Sequence, residues 1–421
     1  MNRRTFVSVA TLFALAGCVP VQQGPQRPYG YMPPPPVMAR PGFAANPSPS
    51  GTRVALLAPL TGANAERGQA LANAAKLALS DPGAPPLDVI DTGSTPAGAA
   101  SAAGQAIAAG AGIILGPLTG PETAAAAPAT TAAGVPMLPF TNDSTQAKPG
   151  VWPLGLTPTQ QVRRLVGTLS AQGRSRFGAV LPQNEFGQAM AAALSSALAD
   201  AGMAPADIRF HDGSMNSASS VMRDISGYAA RRGPLDSQIR AARNLNTAEG
   251  RRQAAKLRSQ SIPGAPIDVL LLADFGEPLA TIASMLSYYD IDAPGVRIIG
   301  PAQWAAPAAT GGAAIGAALY AAPDQALRTG FSDRYAAAFG GPAPGLADLA
   351  FDAAGIARVL AGGDGFGVNA LCRPEGFAGV DGVLALQPDG RVRRGLAVFE
   401  LQRGGSNMIE PAPDNLAAPG I

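Results

Sequence analysis

Asp91-Thr92-Gly93-Ser94 is the stretch of this 421-residue chain most suggestive of chemistry, because Asp-Thr-Gly carries the reactive carboxylate of aspartic proteases. That reaction needs two carboxylates sharing one proton, held too close for both to ionise. The sequence has no second Asp followed by Thr-Gly or Ser-Gly, so the pair cannot form within one chain. The dimeric version needs a small all-β subunit, whereas the neighbours of Asp91 alternate strand and helix. Other constellations fail on similar grounds. His211 is the single histidine, which excludes a multi-histidine metal site and reads as a surface or hydrogen-bonded structural residue. Gly62 to Gly68 has the outline of a phosphate loop, but Gln69-Ala70 follows where Lys and Ser/Thr are required. Gly363 to Gly367 follows no clear strand, and there is no Gly-x-Ser-x-Gly elbow. No catalytic residue, metal or cofactor is expected.

Bulk properties narrow the class further. The chain is 47% hydrophobic and 14% charged, with 51 Gly and 40 Pro, and is long enough for two lobes. Its 31 basic and 29 acidic residues become 29 of each if Arg3 and Arg4 are removed with a leader. A neutral chain does not suit nucleic acid, which needs a basic surface.

Such a leader is visible. "MNRRTFVSVATLFALAGC" has a charged start and an apolar run from Phe6 to Leu15. That run is shorter than the roughly 20 residues of a membrane span and fits a signal peptide over 1–17. Leu15-Ala16-Gly17-Cys18 resembles the lipobox of bacterial lipoproteins, which implies lipidation at Cys18; "NRRTFV" also resembles a twin-arginine signal. Val19 stands where inner-membrane retention would require Asp, so the resemblance implies the outer membrane, facing the periplasm. Residues 18–51 then form a tether: ten prolines fall between Val19 and Gly51, and 33 residues in polyproline II reach about 100 Å. With Cys18 lipidated, Cys372 has no partner and is expected to be a small buried residue.

From Arg53 onward the hydrophobic pattern alternates. Strands are expected at 54–60, 87–91, 111–117 and 135–140, with helices between them, including one with Leu71, Ala75, Ala78 and Leu79 on a single face. Around 152–161 the chain crosses into a second unit with strands at 176–182, 267–274 and 296–301 and helices at 186–202 and 277–288. The βαβα rhythm predicts mainly parallel sheets covered on both faces. The expected division is 52–157 and 300–365 for lobe I, 158–299 and 366–405 for lobe II, and a flexible tail over 406–421. A late hairpin turns at Asp389-Gly390. Residues 228–262 break the rhythm, with eight Arg/Lys against two acids. They read as two basic helices that form either a solvated face, the usual meaning of a charge run, or a docking surface made by Arg231, Arg232, Arg240, Arg243, Arg251 and Arg252.

These segments resemble a known family. "VALLAPLTGANAERGQALANAAKLAL", "GIILGPLTGPETAAAAPATTAAGVPMLPFTND", "AVLPQNEFGQAMAAAL" and "GFAGVDGVLALQPDGRVRRGLAVFEL" are similar to successive parts of the type I periplasmic-binding-protein fold of leucine/isoleucine/valine-binding proteins, over about 53–403. That implies an α/β fold of two lobes, each a mainly parallel sheet flanked by helices. The lipobox, tether, basic insertion and "PAQWAAP" (301–307) together resemble the penicillin-binding-protein activators. These are non-enzymatic envelope lipoproteins that stimulate a bifunctional peptidoglycan synthase by contact. The other implied role is a solute-binding lipoprotein of an ABC transporter for an amino acid, amide or short peptide.

The resemblance implies a cleft lined by Thr61, Thr119, Gly120, Thr141, Asn142, Phe186, Asp274 and Trp304. Here the sequence departs from amino-acid receptors. In that family the loop after the third strand offers hydroxyls and N–H groups to the ligand carboxylate, and Gly120 stands where a serine is usual. Thr141-Asn142 replaces Ala-Thr, and Phe186 replaces a commoner Tyr. Asp274 and Glu277 lie near the strand end where an acid would meet a ligand ammonium group. The missing groups weaken the case for tight amino-acid binding, since a charge-assisted bond is worth about 1.5–3 kcal/mol.

Overall fold

Parallel pairing requires the strand–helix–strand alternation that the pattern shows, and the computed structural model, which describes residues 51–416, has it from the first strand to residue 322. The leader, Cys18 and nearly all of the tether lie outside the described residues. The chain begins β1 (Arg53–Ala58), α1 (Ala65–Ala78), β2 (Leu87–Asp91), α2 (Pro96–Ala108), β3 (Ala111–Leu115), α3 (Gly120–Ala133) and β4 (Met137–Leu138). It continues α4 (Pro158–Ala171), β5 (Phe177–Pro182), α5 (Glu185–Asp200), β6 (Asp207–His211), α6 (Met215–Ile225), α7 (Tyr228–Asn244), α8 (Ala248–Arg258), β7 (Val269–Leu272) and α9 (Gly276–Leu286). There follow β8 (Arg297–Gly300), α10 (Pro307–Thr310), β9 (Leu319–Ala322), α11 (Gln325–Phe339), α12 (Ala347–Ala361) and α13 (Val368–Leu371). Last come β10 (Phe377–Gly379), β11 (Gly382–Leu386), β12 (Val392–Arg394), β13 (Ala397–Gln402) and β14 (Gly405–Glu410).

Two large sheets result. The first runs β2-β1-β3-β4, all parallel. The second runs β14-β13-β9-β8-β7-β5-β6, parallel from β9 to β6, with β13 and β14 antiparallel at its edge. Each sheet is buried on both faces: α1 and α12 cover one side of the first while α2 and α3 cover the other. In the second, α4 and α5 lie opposite α6 and α9. Strand order reverses between β1 and β3 and again between β5 and β7. A crevice is therefore expected outside the carboxyl ends of those strands.

Several boundaries fall elsewhere than the pattern indicated. The return to lobe I comes after β9, which pairs with β8 in the second sheet, and not at residue 300. Ala-rich β9 gives almost no periodic signal. Residues 366–386 do not belong to lobe II: Phe366, Leu371, Phe377, Leu384 and Leu386 pack in the same core as Leu56 and Leu71. The final crossing therefore comes just before β13. The tail expected from 406 starts as β14, paired with β13. Edge strand β6 and helix α6 were not legible, because Arg209 and Phe210 are exposed and the apolar alternation is broken. Cys372 is half-buried, and burial pushes its thiol up to about 11.

Buried acids sit where α12 meets the small β10–β11–β12 sheet. Asp352 accepts a hydrogen bond from the Val380 N–H at 2.7 Å, and Asp348 accepts one from Arg328 Nε at 2.6 Å. Burial nonetheless dominates both. It pushes the Asp352 carboxyl up to about 7 and raises that of Asp348, to which the charge of Asp381 adds. For Asp348 the ion pair with Arg328 and the upward shift pull in opposite directions; loss of water outweighs one partner. An unfolded Asp releases its proton near pH 3.9. The folded state thus holds protons that the unfolded chain gives up, and this contribution is full below pH 4 and is lost as pH rises towards 7. Asp352→Asn keeps the acceptor for Val380 and removes the titration. Denaturant melts of this variant between pH 4 and 7 are expected to show a shallower loss of stability, by up to about 1 kcal/mol per pH unit.

Candidate ligand cleft

The carboxyl ends of β1, β2 and β3 form the lobe I wall, and nearly all their polar groups are spent on one another. Asp91 ends β2. Its carboxylate accepts the N–H groups of Leu60 (2.8 Å), Thr61 (3.2 Å) and Gly93 (2.8 Å) and the Thr61 hydroxyl at 2.6 Å. Ser94 donates to the Thr61 carbonyl and accepts from the Asn64 N–H. The Asp-Thr-Gly-Ser stretch is thus a clasp that ties two strand-end loops together. The Asp91 carboxylate, engaged by four donors, is spent on holding these loops together.

The start of α3 is closed in the same way. Thr119 and Glu122 form a capping box, in which the Thr119 hydroxyl accepts from the Glu122 N–H while the Glu122 side chain accepts from the Thr119 N–H. The Glu122 carboxylate is 1% exposed and also accepts the hydroxyls of Thr119 (2.8 Å) and Thr92 (2.7 Å). Thr123 donates to the Thr119 carbonyl. Beyond β4, Thr141 is buried and accepts from the Asp143 N–H, while Asn142 is exposed. Asp143 is itself held by Thr145 and Gln146. Burial would raise its carboxyl, but those donors together hold it below the ordinary range. One of its oxygens lies 2.9 Å from where a Cβ on Gly120 would stand. The missing serine at 120 thus has a physical reason: a tethered carboxylate occupies its space.

Lobe II presents an open pocket of about 370 Å³ at the ends of β5, β6 and β7, lined by Gln183, Asn184, Phe186, His211, Asp212 and Asp274 together with Phe275. The rings of Phe186 and Phe275 are 5.6 Å apart. His211 and Asp274 are both buried, with Nε2 to Oδ2 at 3.1 Å. The Gly213 N–H donates to Nδ1 at 3.2 Å, so Nδ1 is the acceptor nitrogen and the Nε2 proton points at Asp274. Both ring nitrogens are engaged, so the pair braces the pocket wall. Among the described residues, neither Lys nor Arg lines the pocket.

Of the residues expected in the cleft, the structure joins Phe186 and Asp274 in one pocket. Thr61, Thr119, Gly120, Thr141 and Asn142 stand at the lobe I strand ends, outside that pocket. Trp304 is 1% exposed, and its indole N–H donates to the Asp274 carbonyl at 3.0 Å. It supports the wall from behind, seated where a Cβ on Gly300 would come within 2.3 Å of the ring. His211, Asp212, Phe275, Glu122 and Asp143 were missed. Of these, only Glu122 was readable, from the Thr-x-x-Glu spacing. The basic helices α7 and α8 leave Arg240, Arg243, Arg251 and Arg252 exposed, while Arg232 lies 3.8 Å from Asp236. Arg231 differs: its side chain is only 8% exposed and donates to the carbonyls of Ser226, Pro263 and Tyr289, which holds α7 to its lobe.

A family model described as periplasmic binding protein matches residues 51–405. No curated protein matches in sequence. Among solved structures, one described as a branched-chain amino acid ABC transporter from Rhodospirillum rubrum has a TM-score of 0.64 at 18% identity, covering 85% of this chain and 99% of the other. Full-length LpoA from Haemophilus influenzae gives 0.60 at 18% identity, over 86% of this chain and 59% of that one. This chain thus spans well under two thirds of full-length LpoA. The C-domain of LpoA, described as a regulator of PBP1A, gives 0.59 at 18% identity and is 99% covered. At these identities the likeness is one of fold.

Asp91 is held below the usual carboxylate range mainly by the Thr61 hydroxyl. Its contribution is therefore full above about pH 4 and is lost as pH falls further. Asp91→Ala is expected to cost about 1 kcal/mol at neutral pH, discounted for exposure, and thermal melts at pH 7 and pH 3 should show the difference vanish in acid.

Proposed function

This chain belongs to the periplasmic binding protein family, and we propose that within it the chain works as a non-enzymatic regulator of a peptidoglycan synthase, acting by protein contact from a lipid anchor at Cys18. One observation carries this reading: the anion seat at the start of α3 is filled by the chain's own Glu122 and crowded by Asp143. Hydrogen-bond donors satisfied inside the protein are not offered to a ligand carboxylate, and displacing a buried carboxylate from them leaves an uncompensated charge. The lobe II pocket adds Asp212 and Asp274 and, among the described residues, neither Lys nor Arg. An amino acid would bring a carboxylate to an acidic cleft.

Contact function has its own support. Helices α7 and α8 form a separate pair with a small core of Ile239, Ala242, Ala254 and Leu257, and they present Arg240, Arg243, Arg251 and Arg252 outward. Exposed arginines steer an acidic partner and set its orientation. The Pro-rich stretch would let the folded body reach far from a membrane. LpoA supplies the precedent of a regulator with this fold.

The alternative, solute capture for an ABC transporter, is favoured by the 370 Å³ pocket and its two phenylalanines. The decisive assay adds the purified protein to a bifunctional peptidoglycan synthase and follows glycan polymerisation and peptide crosslinking. A rate increase that falls several-fold in an Arg240→Glu, Arg243→Glu, Arg251→Glu, Arg252→Glu variant is the expected result. No binding and no change in either rate would refute the regulatory reading. For the anchor, Cys18→Ala should release the protein from the membrane fraction.

A further inference from the structure

A second cavity, of about 280 Å³, lies at the joint between the two lobes and shares no lining residue with the lobe II pocket. Its walls come from both sides. The loop after β4 contributes Ser144, the first two turns of α4 contribute Thr159, Gln160, Arg163 and Arg164, and the turn and second strand of the β11–β12 hairpin contribute Arg391, Arg393 and Arg394. Among the described residues, five guanidinium groups line one small space and no carboxylate does.

Direct hydrogen bonds frame it. Gln160 Nε2 donates to the Val392 carbonyl at 2.8 Å, Trp152 Nε1 to that of Gln387 at 2.7 Å, and Arg394 Nη2 to that of Leu154 at 2.7 Å. The hairpin tip at Gly390 lies so close to Lys148 that a Cβ would come within 2.2 Å of its backbone nitrogen. Acids hold several of the arginines from outside the lining: Asp200 on Arg163, Glu410 on Arg164 and Asp389 on Arg391. Such pairing pre-orients a guanidinium, and its planar fork has five N–H donors, more than one carboxylate uses. Arg394 is buried, with Asp381 at 3.7 Å, and its Nε and Nη1 have no hydrogen-bond partner. Burial and the neighbouring charge of Arg163 also weaken the hold of Arg393 on its proton. Crowded cations of this kind are stabilised by a bound anion. The positive end of α4 adds to the same field.

We propose that this cavity binds a small oxyanion ligand, bearing carboxylate or phosphate groups, and that the bound anion fixes the angle between the lobes by bridging α4 to the hairpin. The site differs from the strand-end cleft in place and in sign: the cleft is acidic and the joint is basic. It does not depend on the regulatory reading above.

Calorimetric titration of the full-length protein with citrate and, separately, with inorganic phosphate tests this, against sodium chloride at matched ionic strength. Saturable binding of either probe is expected, and the probe that binds tighter identifies the oxyanion group. Arg163→Gln and Arg393→Gln should each weaken it about tenfold or more, while Arg358→Gln, which pairs with Asp81 and does not line the cavity, leaves it unchanged. Thr159→Val keeps every charge and should weaken binding more modestly, separating recognition from misfolding. Absence of binding by both probes at about 10 mM, or affinities equal in the wild type and both cavity variants, would overturn the proposal.

Discussion

Glu122 is the residue on which the cleft depends. A carboxylate that is 1% exposed is tolerable only if its oxygens are fully engaged. Here the Thr119 N–H, the Thr119 hydroxyl and the Thr92 hydroxyl engage them. The cost of burying that charge is met by the donors that a strand-to-helix junction would otherwise turn towards a ligand. One interaction thus caps α3, ties β2 to β3 across the sheet, and withdraws the anion seat from solution. Asp143 reinforces the result from the next loop, and Gly120 is the compensating residue that makes room for it.

The rest of the architecture follows from parallel pairing. Two sheets with the same reversal of strand order place their carboxyl ends where a crevice must form, whatever that crevice does. What has changed lies in the loops. On one side, Asp91 and Glu122 bind loops to each other; on the other, His211 and Asp274 brace a pocket with Trp304 behind it. On the regulatory reading proposed above, these groups hold the shape of the loops instead of gripping a solute. Charge is segregated accordingly, with acids at the strand ends and arginines at the joint and on α7 and α8.

Much of this was legible before any coordinates. The buried strands at 54–60 and 111–117 and the helices flanking them declare themselves through periodicity, because parallel strands buried on both faces must be continuously apolar. The Thr-x-x-Glu spacing of Thr119 and Glu122 encodes the cap of α3, although Thr119 was expected in the cleft and Glu122 was missed. The pattern failed where tertiary context supplies what local sequence lacks. Ala-rich β9 is a strand because β8 and β13 pair with it, and β6 carries an exposed Arg209 and Phe210 at a sheet edge. Arg231 counted as one more charge in a basic run, yet three carbonyls from separate segments surround it, a convergence that spacing does not encode. His211 was noticed for being alone; only the fold brings Asp274 to it from 63 positions away.

The claim that the anion seat is occupied from within is tested most directly by following the thermal unfolding of the purified protein with millimolar leucine, isoleucine, valine, glutamate or short peptides present. Unchanged melting temperatures across the panel are expected. A ligand that adds about 2.7 kcal/mol, the linkage expected at 100 times its dissociation constant, and so raises the midpoint by several degrees, would contradict the account and return the protein to solute capture.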